Sequence, residues 1–278
     1  MEPGQVSGAK VTSSEAEPVQ EMLTQAEFLA ALAAVEAITL VGVDARIPLF
    51  PQDKEEREAV LKQGRELLEQ RSRLHIAGRS FERANLLRMA RIVAYPQIAM
   101  LIIRKVIPHG SQLFALSQSE EGIIEHTCPR EGVHRLAPLP DIPTLLARAA
   151  QILSLPNQTP GDISFEIEQE MFFQLHDAAQ HAQHDLALEM LRHTGMLSPT
   201  TEAFVHAMEQ PIFGGEAVFF KCADKTIIDG RDIILMRDQK TAWYIMQIIP
   251  GQPRLLVRSA HDQAIHHAIS RCFAELVA

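Results

Sequence analysis

The stretch from Arg231 to Ala278 is the second of two copies of one unit, and that duplication limits what the chain can fold into. Three apolar runs separated by turn residues, Arg231–Arg237, Thr241–Ile249 and Arg254–Arg258, lead into a helix over about His261 to Val277. The same order occupies Ser111 to Leu153. Ser111–Ser117 aligns with Arg231–Arg237 (231 − 111 = 120), and Ile123–Cys128 with Trp243–Ile248 (243 − 123 = 120). Val133–Leu136 aligns with Pro253–Leu256, and Ile142–Leu153 with Asp262–Phe273. Upstream, Pro96 separates a helix over Phe81–Ala94 from a strand over Ile98–Ile107, and Pro211 separates a helix over Thr200–Glu209 from a strand over Glu216–Cys222. Proline ends a helix and biases its predecessor toward extended backbone. Two copies are too few for a solenoid, so the pattern implies two halves about an approximate two-fold axis. Short turns such as Pro108–Gly110 and Ser119–Gly122 make neighbouring strands antiparallel. The expected class is α+β with a quasi-two-fold internal repeat.

The remaining elements fit around these units. Leu23–Leu40 has helical apolar spacing, and Thr24 with Glu27 reads as a capping box. Val41–Phe50 reads as extended, and Asp53–Arg73 as a charged, exposed helix ending before a turn at Ala77–Gly78. Leu155–Gly161, with Pro156, Asn157, Pro160 and Gly161, is the clearest linker. Ile163–Ile167 alternates like a short strand, and a single helix is expected over Glu168–Arg192, ended by Gly195. Asp224–Gly230 reads as a turn or loose loop. The expected layout is a disordered tail over 1–21, a first half over 22–155, a linker over 156–162 and a second half over 163–278, forming one compact domain.

Composition narrows the function classes. The 278 residues carry a net charge of −9, and 46% are hydrophobic. A pI near 5.7 with dispersed basic residues argues against a nucleic-acid surface. No run approaches the ~18 apolar residues of a membrane helix, and the first twenty residues lack a secretory-signal pattern. Cys128, Cys222 and Cys272 are distant from one another, in no ligand-like spacing, and read as small buried side chains in a reducing compartment. The expectation is a cytoplasmic protein that needs no cofactor and no metal.

Three groups of residues are candidates for chemistry or binding. His176, Asp177, His181, His184, Asp185 and His193 crowd one stretch, and His181 with His184 has chelating i, i+3 spacing if the stretch is one helix. That is the basis for an alternative reading, a metal-dependent enzyme. Glu125, His126 and His134 fall on strands of the first unit. Glu125 and His126 are adjacent, so they point to opposite faces and cannot form an acid–base pair. Phosphate-loop, dinucleotide and nucleophile-elbow motifs are all absent, which favours a non-enzymatic role.

The third group is the strand Trp243–Ile249, apolar on both faces. Such a strand is either covered on both sides or offers one face to a partner. The second possibility makes Trp243, Tyr244, Ile245 and Gln247 candidate partner-binding residues, or the seam of a homodimer.

The layout resembles the EspG family of type VII secretion. The features that carry the resemblance are the Leu23-Thr-x-x-Glu-Phe28 stretch leading into a helix and the proline-bracketed Ile47–Pro51 before a helix ending Gly64-Arg-Glu-Leu-Leu-Glu-Gln-Arg71. Ala-Tyr-Pro96 before the strands, and the recurrence of that unit with Ala187–Gly195 and Glu209-Gln-Pro211, complete it. The resemblance implies a quasi-two-fold fold with a central antiparallel β-sheet and flanking helical bundles. It also implies a cytosolic chaperone or adaptor for a helical protein partner, as EspG proteins bind the helical tip of PE–PPE heterodimers, with no cofactor.

Overall fold

A computed structural model describes residues 19–42, 48–73, 75–76, 79–80, 82–154, 163–192 and 198–278. The expected tail (over 1–18), the Ala77–Gly78 turn, the 156–162 linker, His193 and Gly195 lie outside the described residues. In chain order the first half contains β1 (Glu21–Thr24), α1 (Gln25–Ala34), α2 (Lys54–Arg73), β2 (His75–Ile76), β3 (Arg79–Ser80), α3 (Arg83–Ala94), β4 (Ile98–Val106), β5 (Gly110–Ser119), β6 (Gly122–Arg130), β7 (Val133–Leu139) and α4 (Ile142–Leu153). The second contains β8 (Ser164–Glu168), α5 (Gln169–Gln180), α6 (His184–Arg192), α7 (Ser198–Glu209), β9 (Phe213–Ala223), β10 (Thr226–Arg237), β11 (Ala242–Gln247), β12 (Arg254–Ser259) and α8 (Asp262–Val277).

Ten strands form one antiparallel sheet in the order β1-β7-β6-β5-β4-β9-β10-β11-β12-β8. The order reads the same from either edge once the halves are exchanged, so the pseudo-two-fold axis passes between β4 and β9. Small contacts repeat with the large ones. Thr24 and Glu168 are the N-caps of α1 and α5. The next amides, of Gln25 and Gln169, donate to Gly132 O and Pro253 O, both at 2.8 Å. Gln97 and Ile212, one residue before β4 and β9, donate to Gln118 O and Arg237 O, also at 2.8 Å.

The strand ladders correct the repeat spacing. β5 and β6 map onto β10 and β11 with an offset of 119 (Phe114–Thr127 onto Ile233–Met246, 233 − 114 = 119), and β4 maps onto β9 with 115 (213 − 98 = 115). β7 maps onto β12 with 121 (254 − 133 = 121), and only the helices α4 and α8 keep 120 (262 − 142 = 120). Side chains alternate along a strand, so a one-residue slip exchanges faces. The residue equivalent to Trp243 is therefore Ile124, not Ile123.

The two faces of the sheet are covered differently. α4 and α8 lie together on one face over a core shared by both halves, containing Met100, Ile102, Leu116, Phe219, Ile233 and Leu235. Asp141 caps α4 by accepting from Thr144 N at 2.8 Å, and His261 caps α8 by accepting from Ala264 N at 3.2 Å. On the other face the helices form two separate bundles. α1, α2 and α3 cover β6 and β7 around Phe28, Leu32, Leu86 and Ile92. α5, α6 and α7 cover β11 and β12 around Leu175, Phe204 and Trp243.

One buried carboxylate ties the shared layer to the first half. Glu125 faces α4, accepting from Arg148 Nε and Nη2 at 2.6 and 3.0 Å and from Arg135 Nη1 at 3.2 Å. Its side chain is almost fully buried, whereas both arginines reach water. Hydrogen bonding to Glu125 also raises the Arg148 pKa. Replacing Glu125 with Ala strands two guanidinium groups beside the core, and we expect a loss of about 2 kcal/mol in urea denaturation.

Candidate functional site

Among the described residues, neither bundle covers the part of this face around Ile103 and Leu113. Ile102 points into the α4/α8 core, so its neighbour Ile103 points the other way, as does Leu113 opposite it on β5. Ile103 and Leu113 are 42% and 52% exposed. Farther along this face, Ile107 and Phe173 are 45% and 57% exposed and flank a groove between α5, α7 and the strands β9 and β10. Its walls include Phe172, Met208 and Ile234, and Lys105 and His176 stand at its edge. Large exposed apolar side chains are unremarkable singly, but contiguous ones mark interaction surfaces.

The matching place in the first half is built differently. The backbone at Gly42 lies against the sheet so closely that a Cβ there would stand 1.8 Å from Leu101 Cδ1 and 3.3 Å from Phe220. Its φ of +76° also favours glycine. The recess beside it is lined by Thr39, Tyr95 and Lys225, with the Lys225 ammonium 4.4 Å from the Tyr95 ring centroid.

The residues singled out in the sequence fall in different places. Trp243, Tyr244 and Ile245 are buried, because β11 is hydrogen-bonded on both edges and covered on both faces. Trp243 and Ile245 face the α5–α7 bundle, and Tyr244 faces α4 and α8. Gln247, at the strand end, is partly exposed. A homodimer cannot form by pairing β11 with itself; the edge strands are β1 and β8.

The histidine stretch is not one helix. It breaks between α5 and α6, where Ala182 has a φ of +56°. His176, His181 and His184 are exposed and do not converge. His181 Nδ1 lies 2.8 Å from Asp177 O, whereas His184 Nδ1 turns away to the Glu209 carboxylate at 3.1 Å.

A different set does converge. Among the described residues, the ring nitrogens of His126 and His134 and the Cys128 sulfur lie within 4.8 Å of one another. Adjacent strands supply them. A bulge in β6 sets Cys128 and Pro129 between the Thr127–Arg135 and Arg130–Val133 pairs, opposite His134 alone, and a bulge of this kind re-aims a side chain. His126 Nε2 is 2.9 Å from His134 Nδ1, and Cys128 Sγ is 3.5 Å from His134 Nδ1 and 4.0 Å from His126 Nε2. His134 Nε2 reaches Gln25 Oε1 at the start of α1. With Gln25 Oε1 as the acceptor there, His134 Nε2 carries the proton and Nδ1 turns its lone pair toward the cluster. Phe28 stacks on both rings, with centroids 4.8 and 4.1 Å away.

Burial disfavours the charged form of both imidazoles. It lowers His126, with help from His134, to about 3, and His134 to about 4. Both rings are therefore neutral near pH 7. Burial raises the Cys128 thiol. Cys128 is exposed as a residue, and only Cys272 of the three free cysteines is buried. The sequence signal for this cluster was a His-x-Cys pair on one strand with a second His on the next. Cysteine spacing alone does not reveal it, because the hairpin and its bulge assemble the set.

No protein-family model and no curated protein matches this chain. Solved structures do match. The chain shares the EspG fold. It is similar to the Mycobacterium tuberculosis type VII secretion system chaperone EspG5, solved in complex with the PE25–PPE41 dimer, with a TM-score of 0.65 over 92% of this chain and 96% of that one. Identity is 11%, so the likeness lies in the fold. The α+β architecture, with a ten-stranded antiparallel sheet and eight helices among the described residues, accords with the expected class. Among the described residues, no helix is long and apolar enough to cross a membrane.

Proposed function

We propose that this chain is a non-enzymatic, cytosolic chaperone or adaptor that holds an apolar helical segment of a partner protein in the groove between α5, α7 and the central strands. The observation that carries this reading is the contiguous apolar surface of Ile107, Phe173 and Ile234, with Ile103 and Leu113 farther along the same face. It lies on a fold similar to a chaperone solved with a bound PE–PPE dimer. Burying on the order of 500 Å² of apolar area there contributes about 12 kcal/mol, against which association costs must be set.

Trp243, Tyr244, Ile245 and Gln247 have an indirect part in this reading. Ile245 is the cross-strand partner of Ile234 and lies beside it on the same face, so β11 buttresses the groove floor from the side, and Gln247, partly exposed, is the member that can touch a partner directly.

The test is affinity capture of the tagged chain from its native host, comparing wild type with Phe173→Asp and Ile107→Asp. A charge at either exposed site leaves folding nearly unchanged, within about 0.5 kcal/mol. We expect a stoichiometric helical partner with wild type, reduced at least tenfold by either variant. Equal recovery with both variants, or recovery of the wild-type chain alone, would reject the reading.

A further inference from the structure

The geometry points to a mononuclear site for a zinc-class divalent cation, with His126 and His134 supplying ring nitrogens, Cys128 a thiolate and solvent the fourth position. This inference does not depend on the chaperone reading.

Tetrahedral zinc, with Zn–N near 2.0–2.1 Å and Zn–S near 2.3 Å, spaces its ligand nitrogens about 3.3 Å apart and nitrogen from sulfur about 3.6 Å. The observed spacings are 2.9 Å between the nitrogens and 3.5 and 4.0 Å from them to the sulfur. Each differs from the zinc value by a few tenths of an ångström. Zinc-bound histidines characteristically donate their second ring N–H to a carbonyl or carboxylate, as His134 donates to Gln25 Oε1. Two imidazoles and a thiolate favour zinc and its soft or borderline neighbours over magnesium or calcium, which take oxygen ligands.

The second half of the chain provides an internal control. The sheet positions equivalent to His126 and His134 are Ile245 and Leu255, as their ladder partners show: Ala115 and Leu136 beside His126, Ile234 and Val257 beside Ile245, Leu23 beside His134, and Ile167 beside Leu255. Phe28 and Phe172 occupy equivalent places over the two sites. The fold therefore accepts plain apolar residues at both positions. The first half instead buries two imidazoles, a costly choice unless their nitrogens are used.

The proton count on binding is simple. Without metal, His126 Nε2–H donates to His134 Nδ1. On binding, the Cys128 thiol releases its proton to solvent, and the His126 N–H moves from Nε2 to Nδ1. One proton is released for each cation bound.

The test uses the full chain, stripped with chelator and titrated with cobalt and then zinc. Wild type should bind one equivalent, show tetrahedral cobalt bands with thiolate-to-cobalt charge transfer, and melt at a higher temperature in zinc. Cys128→Ser, at an exposed position, should lose the charge-transfer band and bind zinc at least tenfold more weakly. Gln25→Ala should weaken binding by roughly 10- to 100-fold, as loss of a supporting partner does. The double variant His126→Ile, His134→Leu, which copies the second half, should fold and bind no metal there. Failure of wild type to bind either ion would overturn the site. So would wild-type zinc affinity in Cys128→Ser, or binding that disappears instead in a His176→Ala, His181→Ala, His184→Ala variant.

Discussion

Trp243→Ala should lower stability by about 3–5 kcal/mol, the largest effect expected from any single substitution here. The indole is fully buried. It meets Phe204 edge-on at 5.4 Å and Phe165 at 6.4 Å, and its Nε1–H donates to Thr241 Oγ1 at 3.2 Å. Removal leaves a void bounded by α7, β8 and β11, whereas the Thr241 hydroxyl keeps Asp238 Oδ1 and Ala203 O as partners. The measurement is the denaturant midpoint at constant slope. A Trp243→Ala protein with unchanged midpoint but lost partner capture would show that the residue works at a surface, against the packing described here.

Gly64→Ala should also be destabilising, by about 1–3 kcal/mol, although alanine is the better helix former by roughly 0.5–1 kcal/mol. Gly64 lies in the middle of α2, where it passes α1. A Cβ there would stand 2.0 Å from Ala26 O and 2.8 Å from Ala30 Cβ. The nearest obstruction is backbone, so the helices must separate rather than a side chain rotate. Circular dichroism melting decides the sign: a rise in Tm would mean that α1 and α2 can move apart without loss. The sequence offers only a glycine inside a charged helix, and its reason appears once the two helices are seen to cross.

The architecture was legible because the repeat is long, regular and punctuated by proline at matching places. The faces were not. Apolar runs such as Trp243–Ile249 and Ile98–Ile103 lack alternation, so an offset of 120 and one of 119 look equally good, yet they place opposite side chains on the helical bundles. The break at His181–Gln183 also lacked a signal. An alanine takes the left-handed conformation there, with neither glycine nor proline to mark it. The candidate sites depended on both failures. The histidines of α5 and α6 seemed to share a face only because one helix was expected. The His126–Cys128–His134 set was hidden because a bulged hairpin, rather than a helical period, brings it together. Trp243 drew notice as an aromatic on an apolar strand, and in the structure both faces of that strand are covered.

The pseudo-two-fold scaffold bears on stoichiometry. A duplicated unit arranged about an axis offers two equivalent platforms on the face between its bundles, and a chain that kept both would be bivalent. Here Gly42 seats the backbone on one platform, against Leu101 and Phe220, and Lys225 places a charge over the neighbouring Tyr95. The other platform keeps its open apolar groove. The symmetry of the sheet is thus retained in the backbone and cancelled at the surface, and on the proposed reading one partner per chain is expected.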